Sequence, residues 1–278
     1  MIPTFSLAAL ALATVAMADD NARPVSTLEF KNLFVESGIV PEVIAALDPS
    51  VSFYAGYRSA RDGHSELLVP GASLTIAEAS LPIEFSVESL GNATGVTQQT
   101  RYLIYLLDAD APARDNPSAR NLRHYLAGNY TLATNSSGVV ASDILPTASR
   151  LTVAANRFFP FTQFTPPNPQ PNTGVHRFIY ALYTQPSRFD NIGFESVGMD
   201  RNTQNWNLSQ WRTQLGLGPA IGATFFTIDT GANNGQGTSA NRTDFTGTGT
   251  SAAATHSVSL FATGLTVAAT VLGLMAAF

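Results

Sequence analysis

The two stretches RYLIYLL (residues 101–107) and HRFIYALY (residues 176–183) are apolar at successive positions once past their opening residues. A strand with one wet face alternates apolar and polar side chains. A strand apolar on both faces has to be covered on both, so these two belong in the middle of a sheet with packed layers on either side. VSFYAGY (51–57) and PIEFSVES (82–89) alternate instead, with Ile83, Phe85 and Val87 on one side and Pro and Gly as punctuation. This period predicts half-buried strands. AIGATFFTID (220–229) reads as a closing strand.

Two segments change period. In STLEFKNLFVESG (26–38), Ser26 and Glu29 have capping-box spacing, Phe30, Leu33 and Phe34 share a face, and Gly38 supplies the stop. In NWNLSQWRTQLGLG (205–218), Leu208, Trp211 and Leu215 share a face ahead of Gly216. Residues 128–174 are rich in Asn, Ser, Thr and Pro and read as surface loops with short strands. No repeat or heptad pattern is present.

At 278 residues and 45% hydrophobic, the chain can bury a sizeable core. Its net charge is -5, and Lys31 is the one lysine among fifteen basic residues. Such a surface cannot follow a phosphate backbone, which excludes nucleic acid as a partner class. Cysteine is absent, excluding thiol chemistry and Cys-based metal sites. No cofactor or metal is expected.

Both ends carry processing signals. Residues 1–18 hold an apolar run from Phe5 to Val15 and then AMA before Asp19. This is a signal peptide with a small-x-small cleavage pattern, lacking only the basic n-region. Residues 19–229 form the domain, and residues 230–250 are a Gly/Ser/Thr/Asn-rich stalk. Residues 251–278 run from small residues into an apolar tail, Val258 to Phe278, with no charge after it. That order reads as a glycosylphosphatidylinositol (GPI) signal with the tail removed; the alternative is a retained membrane-spanning helix. The expected location is the outer face of the plasma membrane. Sequons begin at Asn92, Asn129, Asn135, Asn207 and Asn241, although Asn207 also suits a helix cap.

The chemistry collects at the ends of the two doubly apolar strands. Asp108 and Asp110 follow the first in DADAP, with Pro112 closing the turn; His124 lies sixteen positions after Asp108 in NLRHYL; His176 opens the second strand after the loop PPNPQPNTG. Loops at the ends of buried strands are where binding groups gather. Each histidine alone is more often a structural hydrogen-bonder than a ligand.

DADAP, RHYL, PPNPQPNTGVHRF and the terminal LGLGPAIGATFF, in this order and with GIVPEVI near the start, resemble the phosphatidylethanolamine-binding protein (PEBP) family, whose hallmarks are D-P-D-x-P and G-x-H-R. The resemblance covers about residues 28–229. It implies a mostly β protein: a β-sandwich with a large central sheet and a few peripheral helices. It also implies a small pocket for anions such as the phosphate of a phospholipid head group. Matched to the motifs, Asp108, Asp110, Pro112, His124, Gly174, His176, Arg177 and Phe178 become the ligand-binding candidates. Ala109 stands in place of the motif's usual proline, Asn172 in place of a loop glycine, and Phe178 where many relatives carry a tyrosine.

A carboxylate next to a phosphate repels it unless it holds a histidine charged or grips a head-group amine. Asp108 is therefore expected to orient and charge the site, and Asp110 to act as an Asx-turn acceptor. Three functions compete. The leading one is a cell-surface binding protein for phospholipid head groups or small anions. The alternative is an inhibitor of a serine carboxypeptidase or other protease, a role the resemblance includes. An enzyme ranks last, because the sequence has no G-x-S-x-G, H-E-x-x-H or phosphate loop.

Overall fold

A computed structural model describes residues 26–58, 65–136, 148–153, 160–187 and 202–231. The chain divides into two compact units, residues 1–247 and 248–278. The second unit, the signal segment, most of the stalk, the apolar tail, Asn241 and His64 all lie outside the described residues. Among the described residues no helix is long and apolar enough to cross a membrane.

Helix α1 (Thr27–Glu36) begins at Ser26, whose Oγ accepts from the amide of Glu29 at 3.2 Å. It buries Phe30 and Phe34. After Gly38 (φ +72°) a single turn, α2 (Ile39–Glu42), leads to β1 (Ser52–Arg58), β2 (Ser65–Leu67), β3 (Ala72–Ser73) and β4 (Glu84–Glu88). Then come β5 (Tyr102–Asp108), β6 (Leu122–Ser136), β7 (Ser149–Thr152), β8 (Val175–Thr184), α3 (Leu208–Leu215) and β9 (Gly222–Asp229). The strands form one sheet in the order β2-β1-β4-β7-β6-β5-β8-β9-β3.

The sheet folds back on itself at β6. Its first half pairs with β5 and its second with β7, and between Tyr102↔Tyr130 and Ile104↔Ala127 the register slips. Asn129 sits in the slip at φ +62°, the extra residue that bends a bulged strand. Gln185 holds it, accepting from its amide at 2.7 Å and donating to its Oδ1 at 3.0 Å. Residues 128–136, expected to be surface loop with short strands, are thus the second half of one long strand. Their Asn and Thr content reflects a bend between two half-sheets.

Even-numbered residues of β5 (Tyr102, Ile104, Leu106) face one core with Phe53, Phe85, Tyr180 and Phe226. The odd ones (Leu103, Tyr105, Leu107) face a second core with Phe34, Ile39, Trp206, Trp211 and Leu215. This is the double coverage that the apolar runs demand, and each large side chain so buried contributes about 1.5–3 kcal/mol. Gly222 opens β9 where it meets β1: a Cβ there would stand 2.8 Å from that of Phe53 and 2.9 Å from Cγ2 of Val51. Only glycine allows that approach.

The half-buried reading of β1 and β4 is corrected. Both strands are buried on both faces, except for Arg58 at the end of β1. The polar alternates Glu84 and Ser86 lie under cover and satisfy each other, Ser86 Oγ donating to Glu84 Oε1 at 2.5 Å, with Arg150 3.6 Å from the same carboxylate. Phe30 of α1 packs on Tyr54 and Ala148 nearby. Alternation in sequence here marks a buried polar pair, not a wet face.

Of the sequons within the described residues, Asn92 is exposed at a one-turn 3-10 helix, and Asn135 lies in β6. Asn129 is the held bend residue. Asn207 caps α3, accepting from the Gln210 amide at 2.9 Å.

Candidate functional site

Strands β5 and β8 are antiparallel neighbours, with Asp108 paired to Phe178. The loop after β5 and the loop before β8 therefore meet at one end of the sheet, and β6 brings His124 alongside. Topology alone gathers DADAP, RHYL and NTGVHR.

Asp108, 3% exposed, spends its two carboxylate oxygens separately. Oδ1 accepts from the amide of Asp110 at 2.8 Å, closing an Asx-turn, and Oδ2 faces His176 Nδ1 at 2.8 Å. The Asx-turn expected of Asp110 thus belongs to Asp108. The Asp110 carboxylate is engaged elsewhere: it receives Arg177 Nε at 2.8 Å, Nη2 at 2.6 Å and the Arg177 amide at 2.9 Å. Such a two-pronged pair between buried partners has the geometry that offsets desolvation.

The rest of the Arg177 guanidinium is engaged by the protein as well. Its Nη1 reaches Ser37 O and Glu42 Oε2, both at 3.1 Å, and Arg120 Nη2 meets the other Glu42 oxygen at 2.6 Å. Burial works against the Glu42 carboxylate, but Arg177 and then Arg120 hold its pKa below the usual 4.5. Burial likewise opposes the Arg177 charge, and Asp110 and Glu42 more than compensate, raising its pKa. The network fastens the α1–α2 corner to the DADAP loop. Pro112 is exposed on that loop.

His176, 1% exposed, contacts Thr173 Oγ1 through Nε2 at 2.8 Å. Thr173 in turn lies 2.6 Å from the Gln170 carbonyl and 3.0 Å from Thr230 Oγ1. Thr230, at the end of β9, receives the Thr173 amide at 3.1 Å and donates to Gly174 O at 3.0 Å. Gly174 stands at φ +82° with open space where a Cβ would be; its requirement is backbone conformation. Asn172, in place of a glycine, adopts φ +63°, which asparagine tolerates.

His124 completes the site. Its Nδ1 lies 2.9 Å from the Thr165 carbonyl, while its buried Nε2 has no partner among the described residues. Burial lowers its pKa below 6.5, against the pull of the Thr165 carbonyl and Asp108, and His176 adds to the lowering. Phe178 lies between the two imidazoles, edge-on to His124 at 5.5 Å and stacked on His176 at 6.3 Å. Arg123 Cζ sits 5.1 Å from the Phe161 ring centre and 4.9 Å from that of Trp206. No group of three or more His, Asp or Glu among the described residues could hold a metal ion.

Asp108, His124, His176, Gly174 and Phe178 thus come together, while Asp110 and Arg177 form a separate pair behind them. Sequence reading left Thr173, Thr165, Thr230 and Glu42 without roles. Thr173 and Glu42 stand inside quoted motifs, NTGVHR and GIVPEVI, where a lone hydroxyl or carboxylate among apolar and glycine neighbours was the available signal.

Comparison with known proteins agrees with this architecture. CEN-like protein 1 of Nicotiana tabacum is 23% identical over 195 residues, 69% of this chain and 88% of its own length. The 26 kDa secreted antigen of Toxocara canis is 24% identical over 197 residues, 69% of this chain but 62% of the antigen. Among solved structures, carboxypeptidase Y inhibitor complexed with its cognate proteinase superposes with a TM-score of 0.54 at 18% identity, over 74% of this chain and 98% of the inhibitor. The likeness to the inhibitor is one of fold. The profile of the phosphatidylethanolamine-binding protein family matches residues 64–226, more than half of the 278 residues, and the chain belongs to that family.

Proposed function

We propose that this protein is a binding protein whose pocket takes an oxyanion such as the phosphate of a phospholipid head group, displayed at the cell surface and without catalytic turnover. One observation carries the reading: the buried Nε2 of His124, without a partner among the described residues, on a ring that feels the Asp108–His176 pair at the joined ends of β5, β6 and β8. Buried polar atoms are nearly always satisfied, so one left open at a loop cluster marks a place for a ligand. The membership of a family of mainly binding and regulatory proteins supports the absence of turnover.

Titration calorimetry with O-phosphoethanolamine and glycerophosphoethanolamine tests the pocket on the secreted domain. Replacing His124 by Ala removes one ligand hydrogen bond and is expected to weaken binding about ten- to a hundredfold. Failure of both compounds to bind would overturn the reading. Native mass spectrometry of the purified domain would show a retained phospholipid directly.

The surface location rests on the order of small residues, spacer and apolar tail at residues 246–278. Peptide mapping of membrane-held protein is expected to find residues 258–278 missing, and phosphatidylinositol-specific phospholipase C to release it. A retained tail peptide would mean a spanning helix instead. Of the sequons whose side chains are described, Asn92 is exposed and free of the bend and capping roles of Asn129 and Asn207, which suits it to carry glycan. Protease inhibition stands second, because 18% identity to the carboxypeptidase Y inhibitor carries the fold and not an inhibitory surface.

A further inference from the structure

The two site histidines differ in what they can offer a ligand, and hydrogen-bond accounting tells which way each points its protons. Around His176, two carbonyls fix the hydroxyls. Gln170 O can only accept, so at 2.6 Å it takes the Thr173 hydroxyl hydrogen; Gly174 O likewise takes that of Thr230 at 3.0 Å. Thr173 Oγ1 is then an acceptor towards His176 Nε2, and Asp108 Oδ2 is the partner of Nδ1. Both ring nitrogens are engaged, which closes His176 to a ligand.

His124 is the reverse. The Thr165 carbonyl beside Nδ1 has no hydrogen to give, so Nδ1 carries the proton. In the neutral ring Nε2 then bears a bare lone pair. This is the atom that lies buried and unpartnered. A fully ionised oxygen brought against that lone pair would be repelled.

We infer that the pocket takes up its oxyanion together with one proton, held between His124 Nε2 and the ligand oxygen. This deepens the binding function proposed above and rests on it. Whether the proton arrives on the imidazole or on the ligand, the complex holds one more than the separated neutral ring and anion. Among the described residues, the groups facing His124 come from β5, β8 and residues 160–165. Asp108 on β5 favours a proton there, and His176 on β8 opposes it. Residues 160–165 present a carbonyl and no titratable side chain, Phe178 is apolar, and Arg123, the chain neighbour, is turned into Phe161 and Trp206. Desolvation keeps the empty ring neutral near pH 7, so the proton has to come in with the anion.

The clean probe is a phosphodiester, whose own charge is constant between pH 5.5 and 7.5; glycerophosphoethanolamine serves. Calorimetry in two buffers of different ionisation enthalpy reads proton uptake directly. The expected result is affinity falling roughly ten- to a hundredfold from pH 5.5 to 7.5, near tenfold per pH unit once the free ring is neutral, with uptake approaching one proton at the higher pH. His124→Gln puts an amide N–H near the place of Nε2 at every pH and is expected to bind with almost no pH slope and no uptake. The histidine ¹⁵N spectrum of the unliganded wild type is a second, mutation-free reading: the Nδ1–H tautomer of His124 is expected.

Wild-type binding without proton uptake would overturn the inference and leave the binding function standing. So would an unchanged slope in His124→Gln, or the Nε2–H tautomer. Failure of the phosphodiester and O-phosphoethanolamine to bind at any pH from 5.5 to 7.5 would bring down both.

Discussion

The DADAP segment contributes Asp108 and Asp110, the start of β8 contributes His176 and Arg177, and the two pairs they form across the strand ends have opposite fates. Asp110 and Arg177 face the α1–α2 corner, where the guanidinium is met by Asp110, Glu42 and the Ser37 carbonyl. Asp108 and His176, reached from the same backbone but turned the other way, join Thr173 and Thr230, and among the described residues His124 Nε2 is left without a partner. One side closes its hydrogen bonds and holds the fold. The other keeps one open, the atom that the proposed ligand would meet. Motif membership does not separate these roles; the accounting of donors and acceptors does.

The sharpest way to break the comparison is to take one partner from the closed side. Asp110→Asn leaves the Arg177 charge buried without its two-oxygen partner, and losing one member of a buried pair costs about 3–5 kcal/mol. Urea unfolding is expected to show that loss, with a fall in midpoint and little change in slope. Asp108→Asn keeps an oxygen for the Asp110 amide and faces an imidazole that can shed its charge, as a guanidinium cannot, so it is expected to cost less stability while weakening anion affinity. If the two variants lose equal stability, the division into a holding side and a binding side is wrong.

Thr173→Val tests the open side next. It keeps the shape and removes the hydroxyl that meets Gln170, Thr230 and His176. At about 0.5–1.5 kcal/mol for each of the two hydrogen bonds lost, to the Gln170 carbonyl and from His176 Nε2, a destabilisation of about 1–3 kcal/mol is expected, with Thr173→Ser recovering most of it. The separate signature lies in the ring: His176 Nε2 loses its acceptor, so its ¹⁵N shift should move in the Val variant and stay in the Ser variant.

The central strands were legible in the sequence because coverage on both faces leaves no polar alternates, as in YLIYLL. Helices α1 and α3 were legible from Ser26, Asn207 and Gly216, since caps act locally. The long β6 was not. Its second half is polar because it crosses between half-sheets, and the bend at Asn129 depends on Gln185, fifty-six residues away. In the candidate site, residue types and motif order located Asp108, His124 and His176, but not their partners. Whether an aspartate serves a turn, an arginine or a histidine depends on which strand end lies opposite, and Asp110 was assigned the turn that Asp108 makes.

Glu42→Gln probes the outer edge of the closed network and is expected to cost about 1 kcal/mol, since solvent screens a half-exposed carboxylate. Its pKa is depressed below 4.5 in the folded protein, so its contribution is present above pH 4.5 and lost as pH falls through the folded value. Wild type and variant should therefore differ in urea midpoint at pH 7 and converge in acid. A gap that stays constant down to pH 3 would mean that the side chain acts by shape and not by charge.

The smallest effect should come from His124 in the absence of ligand, and it runs through the open side alone. Burial depresses its pKa below 6.5, so below that pH the unfolded chain binds a proton that the folded chain refuses. Stability is then fully present above pH 6.5 and declines as pH falls towards the folded value, with a slope of at most about 1.4 kcal/mol per pH unit, the limit for one proton. His124→Gln has nothing to titrate, so its stability should change less than that of the wild type between pH 6.5 and 5, by an amount small beside the loss in Asp110→Asn. Saturating glycerophosphoethanolamine should reverse the wild-type trend, because a ligand that brings its own proton binds best where the empty pocket is least stable. Parallel pH profiles for wild type and His124→Gln, with and without the phosphodiester, would mean that the unpartnered nitrogen neither titrates nor binds.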